Sequence, residues 1–289
     1  MFLPRKILEE KLQNILAEDI GQGDITTILV IPADSTAEAE VIAKESGVIA
    51  GIEEAKILLE SSGLKVKSLA ADGQEVKAKH ILMKISGDTR TILSVERTLL
   101  NIISRMSGIA TTTRKLTEKI RKARLKTKVA CTRKVAPGLL YFDKKAAFIG
   151  GGDTHRLHLD DMILIKDNHI AVVGSVEKAI KTVRKNASFS KKVEVEVTKV
   201  KDVLTGVKAG ADIIMLDNFS PKQIEKAVRL LEKERLYGKV LLEASGGITA
   251  KNILSYASTG VGIVSLGEIT DSTKALDISL EITKSKKKG

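Results

Sequence analysis

Apolar positions along the 289-residue chain follow two rhythms, and the rhythm changes near residue 127. Over residues 5–18, Leu8, Leu12, Ile15 and Leu16 recur at the spacing of an amphipathic helix. The turn-rich GQGDITT (21–27) closes that pattern. Short β-like runs then follow to about residue 87: STAEAEVIAKESG, LKVKSLAADGQ and HILMKISGD, punctuated by Gly47, Gly63, Asp72-Gly73 and Gly87-Asp88. The helical stretch IEEAKILLES lies among them. This part reads as a small α+β unit. Residues 89–106 then carry Ile92, Val95, Leu99, Ile102, Ile103 and Met106 on one helical face. Gly108 is expected to interrupt that helix, with TTTRKLTEKIRKA resuming it and a domain boundary near by.

Beyond residue 127, short apolar runs alternate with helical stripes. The runs are KVACT (128–132), MILIK (162–166), VEVEV (193–197), DIIMLD (212–217), KVLLEA (239–244) and GVGIVSL (260–266). From VEVEV onward they recur at the length of a strand, a helix and two short loops. That alternation predicts an α/β unit of parallel strands joined by right-handed crossovers. Length alone leaves a barrel and a doubly wound sheet both open.

The residues at or just after the end of each run carry the chemistry. They are Arg133 and Lys134, then Lys166, Glu196, Asp217, Ser245-Gly246-Gly247 and Gly267. Ligands of parallel α/β folds bind beyond the carboxyl ends of the strands. With His155 and Arg156, the cationic members predict a multiply negative ligand, because such charges gathered at one mouth repel each other without anions. Glu194 and Glu196 share one face of VEVEV: either both enter a barrel interior, or they wet one side of an edge strand. Glu196 and Asp217 read as acceptors for sugar hydroxyls or as ligands of Mg²⁺ through water. Asp217 could instead cap the next helix, although Ser220, with Pro221 behind it, fits that task better. The Gly-Gly turn and Gly267 suit a phosphate held by backbone N–H groups.

Other features have plainer readings. Gly150-Gly151-Gly152 is a helix C-cap or a place where backbone approaches a ligand. His155 and His158 lack a third zinc ligand in sequence, and Cys131 reads as core. A single cysteine excludes an internal disulfide. The opening residues lack a signal peptide's apolar core, no run approaches a membrane span, and a cytoplasmic location is expected. The net charge of +12 includes Lys284, Lys286, Lys287 and Lys288 at the end. With no Trp and only eight Phe and Tyr residues, the chain lacks the stacking platforms of a single-strand binder.

EDIGQGDITT (18–27), ERTLLNIISRMSGIAT (96–111), TRKVAPGL (132–139), GGGDTHR (150–156), LIKDNH (164–169), VEVEV, LDNF (216–219), EASGGI (243–248) and ALDISLEI (275–282) together resemble the quinolinate phosphoribosyltransferases. The resemblance implies an N-terminal α/β sandwich domain, residues 1–107, to which a C-terminal segment, 271–289, returns. It also implies an open, TIM-like α/β barrel of six or seven parallel strands over 108–270. The implied reaction joins quinolinate to phosphoribosyl pyrophosphate with Mg²⁺, releasing pyrophosphate and carbon dioxide and giving nicotinate mononucleotide for NAD synthesis. By the matching motifs, Arg133, Lys134, His155, Arg156 and Lys166 line the pocket for carboxylates and phosphates. Arg97 matches an arginine supplied across a homodimer, in some relatives part of a hexamer. Glu196 and Asp217 match an acidic pair near ribose and metal, and Ser245, Gly246, Gly247 and Gly267 a phosphate cradle. Lys134, Lys166, Glu196 and Asp217 are the catalytic candidates. Ala244 stands where a second serine is common, and Asp153-Thr154 precede His155 where a small residue and Asn are common. Two alternatives remain: a paralogue associated with molybdenum transport, and a basic nucleic-acid-binding protein.

Overall fold

A computed structural model describes residues 3–287, without the side chain of Lys287; Lys288 lies outside the described residues. The chain forms two compact units. The first comprises 1–112, 141–151 and 273–289, and the second 113–140 and 152–272.

The first unit opens with α1 (Arg5–Ile20) and α2 (Ile25–Val30). Leu8, Leu12 and Leu16 are the buried stripe of α1. The GDITT stretch is not all turn: Asp24 caps α2 by accepting the N–H of Thr27 at 2.9 Å. There follow β1 (Ser35–Ala43), β2 (Gly47–Val48), α3 (Ile52–Ser61), β3 (Lys65–Ser68), β4 (Glu75–Val76) and β5 (Ile81–Asp88). Alternate residues of β1 are buried, the signature of an antiparallel strand with one wet face. The helix α4 (Thr89–Lys122) then runs unbroken through Gly108. The expected interruption fails because this glycine serves packing rather than termination. A Cβ there would stand 2.1 Å from the carbonyl oxygen of Lys274, so glycine admits the C-terminal segment against the helix. Helix α5 (Leu140–Ile149) also packs within this unit from Tyr141 on, and Gly150 and Gly151 follow it as its C-cap. The segment from Thr273 supplies β12 (Ile278–Lys287), an edge strand in the sheet order β12-β1-β5-β3.

The second unit holds β6 (Lys128–Cys131), β7 (Ile163–Ile165), β8 (Val193–Val197), β9 (Ile213–Asp217), β10 (Leu241–Ser245) and β11 (Ile263–Leu266). Between them run α6 (Asp167–Val173), α7 (Val176–Asn186), α8 (Val200–Ala209), α9 (Pro221–Lys233) and α10 (Ile253–Ala257). The strands pair in parallel in the order β6-β11-β10-β9-β8-β7. From β7 to β11 each strand neighbours the next in the chain, and β6 follows beside β11. A doubly wound sheet would reverse direction at a switch point; this order instead runs round as a barrel does. The ladder is open between β6 and β7, where Asp153 makes a single parallel bridge to Ala130. Strand β8 is therefore central, and its carboxylates point inward. The edge-strand reading of Glu194 and Glu196 is overturned. Ser220 caps α9 in a capping box with Gln223, which leaves Asp217 free of capping. No helix among the described residues is long and apolar enough to cross a membrane.

Candidate active site

Strand register sets the level of the site. Ser245, the last residue of β10, pairs beside Asp217 at the end of β9 and beside Ser265 on β11. The carboxyl ends thus open at one height, and the side chains beyond them surround a cleft of about 630 Å³. Arg133 and Lys134 enter it after β6, Arg156 with His155 from the loop beyond Asp153, and Lys166 after β7. Glu196, Asp217, Ser245, Gly246, Gly247 and Gly267 complete the set expected from the sequence. Arg97 is the exception: it sits exposed on α4 in the first unit and does not line the cleft.

The cations come from β6, β7 and the loop between them, on either side of the open ladder. The acids come from the strands in between. Lys166 lies 3.5 Å from Glu196, whose carboxyl is raised above its usual range by burial, against the pull of Lys166 and with the help of Asp217. Burial, with Arg133 beside it, makes the charged form of Arg156 less favourable than usual, although a guanidinium keeps its proton regardless. Glu243, Glu268 and Asp271 also line the cleft, so it is not purely cationic. Divided charge of this kind suits a ligand with separate anionic and electropositive or hydroxyl-bearing parts.

Backbone geometry explains the glycines. Gly246 has φ +89°, and a Cβ on it would lie 2.3 Å from Asn218 Oδ1 and 3.0 Å from the Asn218 nitrogen. A Cβ on Gly267 would meet Asp271 Oδ2 at 2.6 Å and the Lys134 side chain at 3.2 Å. Asn218, itself at φ +55°, donates from Nδ2 to Asp217 Oδ2 at 2.8 Å, and its backbone N–H reaches the Ser245 carbonyl at 2.8 Å. One asparagine thereby aims the carboxylate and ties β9 to the Gly-Gly turn. Thr270 Oγ1 donates to the Lys134 carbonyl at 2.6 Å, fixing the loop after β6.

His155 lines the cleft and has a second set of neighbours as well. It stands with the fully buried Glu194 and Glu243, while His158 is exposed and apart from that cluster. Cys131 is buried, and its Sγ lies 3.5 Å from the Thr154 carbonyl oxygen, as a core thiol would.

Comparison with known proteins identifies the lineage. The family model "Quinolinate phosphoribosyl transferase, C-terminal domain" matches residues 109–281, and the corresponding N-terminal domain model matches 24–107. The chain belongs to the quinolinate phosphoribosyltransferase family. It is 44% identical over 271 residues to a probable nicotinate-nucleotide pyrophosphorylase (carboxylating) of Methanothermobacter thermautotrophicus, covering 94% of this chain and 97% of that one. Among solved structures, NadC from Streptococcus pyogenes superposes with a TM-score of 0.88 at 35% identity, covering 98% and 100% of the two chains. The nicotinate-nucleotide pyrophosphorylase of Francisella tularensis gives 0.85 at 39%, covering 98% of each.

Within this quinolinate phosphoribosyltransferase fold, every lining residue named above falls in the stretch matched by the C-terminal model, and Arg97 in that matched by the N-terminal one. Sequence reasoning assigned no task to Asn218, Glu243 or Glu194. A signal for Asn218 was present: an Asn directly after a strand-end Asp and beside a Gly-Gly turn is a residue type that tolerates positive φ. Glu243 follows Leu241-Leu242 in an otherwise apolar strand, and a carboxylate inside such a run needs a buried partner.

Proposed function

We propose that this chain is the decarboxylating phosphoribosyltransferase that joins quinolinate to phosphoribosyl pyrophosphate. The products are nicotinate mononucleotide, pyrophosphate and carbon dioxide, so the enzyme feeds NAD synthesis, and we assign it to the cytoplasm. One observation carries the reading: Arg133, Lys134, Arg156 and Lys166 share a cleft with Glu196, Asp217 and the Ser245-Gly246-Gly247 turn. Quinolinate brings two carboxylates on a pyridine ring; the sugar donor brings a 5-phosphate, two hydroxyls and a pyrophosphate. The cleft offers a partner for each of these groups.

The chemistry needs positioning and charge, with no covalent nucleophile. Arg133 and Arg156 present planar forks to the carboxylates, and Lys134 and Lys166 supply point charges to carboxylate and phosphate oxygens. The Gly246-Gly247 backbone, open because neither residue carries a Cβ, cradles the 5-phosphate. As pyrophosphate departs, the anomeric carbon becomes positive, and the Glu196 and Asp217 carboxylates favour that charge while accepting from the ribose hydroxyls. The ring nitrogen bonds to that carbon and becomes quaternary. Its positive charge then stabilises the electron pair left on the adjacent carbon when carbon dioxide leaves, and that pair takes a proton from water to form the C–H bond of the product.

The donor set fits Mg²⁺. Glu196 and Asp217 are hard oxygen ligands on neighbouring strands, and no third titratable ligand groups with them among the described residues. Such a site suits an ion that keeps several waters and takes its other ligands from phosphates. Bound there, Mg²⁺ would supply neutralisation of the leaving pyrophosphate.

We further propose a homodimer in which Arg97 reaches the cleft of the partner subunit, with a hexamer as a higher assembly of such dimers. The decisive experiment incubates the protein with quinolinate, phosphoribosyl pyrophosphate and Mg²⁺. Stoichiometric carbon dioxide and nicotinate mononucleotide are expected; turnover of nicotinate with no turnover of quinolinate would overturn the reading.

A further inference from the structure

Glu194 on β8 and Glu243 on β10 are both completely buried. Neither carboxylate oxygen of Glu194 has a hydrogen-bond partner among the described residues, nor does Glu243 Oε1. A buried carboxylate needs something to balance its charge, so two of them call for a purpose. Both face one imidazole: His155 Nε2 lies 3.2 Å from Glu243 Oε2 and 3.5 Å from Glu194 Oε2. The other ring nitrogen, Nδ1, accepts the backbone N–H of Arg156 at 2.8 Å. His155 itself is held at φ +51°, where Asp153 Oδ1 accepts its N–H at 2.8 Å. A non-glycine residue in that region is strained and persists only where its surroundings fix it.

These ligand atoms lie close enough together to suggest a metal centre. The hydrogen bond at Nδ1 argues otherwise. Against the effect of burial, the two carboxylates raise the basicity of the ring to a pKa of about 10, but a nitrogen that accepts an N–H carries no proton: with Nδ1 so engaged, the ring holds its one proton on Nε2, pointing at the carboxylates. Nε2 then has no lone pair for a cation. Both nitrogens are engaged inside the protein, and neither remains for a substrate.

We propose that His155 is a bridge rather than a substrate ligand, and that Glu243 is a positioning residue acting through it on Arg156. Nε2–H is donated to Glu243, with Glu194 beside it, and Nδ1 holds the Arg156 backbone N–H. The anchor fixes where the Arg156 chain leaves the loop and hence where its guanidinium stands in the cleft. The buried carboxylates also offset the repulsion between Arg156 and Arg133, since Glu194 attracts the Arg156 charge. Only the choice of quinolinate as the ligand rests on the function proposed above.

The test uses full-length protein with ¹⁵N-labelled histidine; the chain has four. His155 should show a protonated Nε2 and an unprotonated Nδ1, unchanged on addition of quinolinate. Glu243→Leu should alter that signature. It should raise KM for quinolinate about tenfold to hundredfold, far more than it raises KM for phosphoribosyl pyrophosphate or lowers kcat. Glu243→Gln, whose amide oxygen still accepts Nε2–H, should recover most of the loss. In an Arg156→Ala background, Glu243→Leu should add little further. Where Glu243→Leu does not fold, His155→Asn serves, since Asn tolerates positive φ but cannot bridge; it should give the same KM pattern. An unmoved KM, fully additive losses, or a His155 nitrogen that shifts on quinolinate binding would overturn the proposal. If the wild type turns over no quinolinate, the substrate assignment fails, while the labelled spectra of wild type and Glu243→Leu still decide the bridge.

Discussion

At the scale of single residues, the cleft depends on a few atoms whose places are sharply constrained. Gly246 is the clearest case, because its positive φ and its contact with Asn218 both exclude a Cβ. Gly246→Ala should therefore push Asn218 away from Asp217 as well as strain the turn by about 1–2 kcal/mol. The expected outcome is a raised KM for phosphoribosyl pyrophosphate with a smaller change for quinolinate, read from initial rates. Arg156→Ala should cost about 2 kcal/mol of anion binding, roughly thirtyfold in KM for quinolinate. Arg133→Ala should cost less, because Arg133 is exposed to solvent and water screens what it binds. Equal kinetics in the Arg156 variant and the wild type would remove that guanidinium from the site.

At the scale of elements, most of the second unit is legible in its hydrophobic rhythm. Each apolar run became a parallel strand, since a strand buried on both faces must be apolar nearly throughout. The exceptions mark the site: Glu194, Glu196 and Glu243 break the pattern and face inward. What sequence could not give was partnership. Nothing in VEVEV or LLEAS announces that Glu194 and Glu243 meet one histidine from a distant loop. Gly108 misled for a related reason, because its neighbour, Lys274, is remote in the chain. Local signals fared better. Ser220 with Pro221 announced the start of α9, whose buried face is Ile224, Ala227, Val228 and Leu231. Ser220→Ala should lower stability by about 1 kcal/mol in urea denaturation. It should leave kcat and KM unchanged, because the buried stripe, at roughly 1.5–3 kcal/mol for a large aliphatic side chain, still holds the helix in place. A change in turnover would show that the cap also orders the Asp217 loop.

At the scale of the whole molecule, the proposal makes assembly part of catalysis. Mixing two inactive variants, Arg97→Ala and Lys166→Ala, should restore partial activity, because some mixed dimers would contain one intact cleft. The absence of recovery in verified mixed dimers would confine Arg97 to a structural task. The charge of the chain also takes a different meaning. The sequence counts the terminal lysines only as charge, and in the structure Lys284 and Lys286 belong to β12, paired in register with Glu38 and Thr36. Lys284 makes an ion pair with Glu38 at 3.3 Å. Lys284→Gln with Lys286→Gln should therefore leave turnover intact. A loss of turnover would place these lysines in the reaction.

That strand is the rim of its sheet, and a rim offers open backbone hydrogen bonds to any passing β-strand. Ammonium groups along it repel a second copy and hold the surroundings wet. Replacing Lys284 and Lys286 with valine would preserve the pleat while removing this guard. Light scattering at rising concentration should then report growth beyond the assembly that the native chain forms.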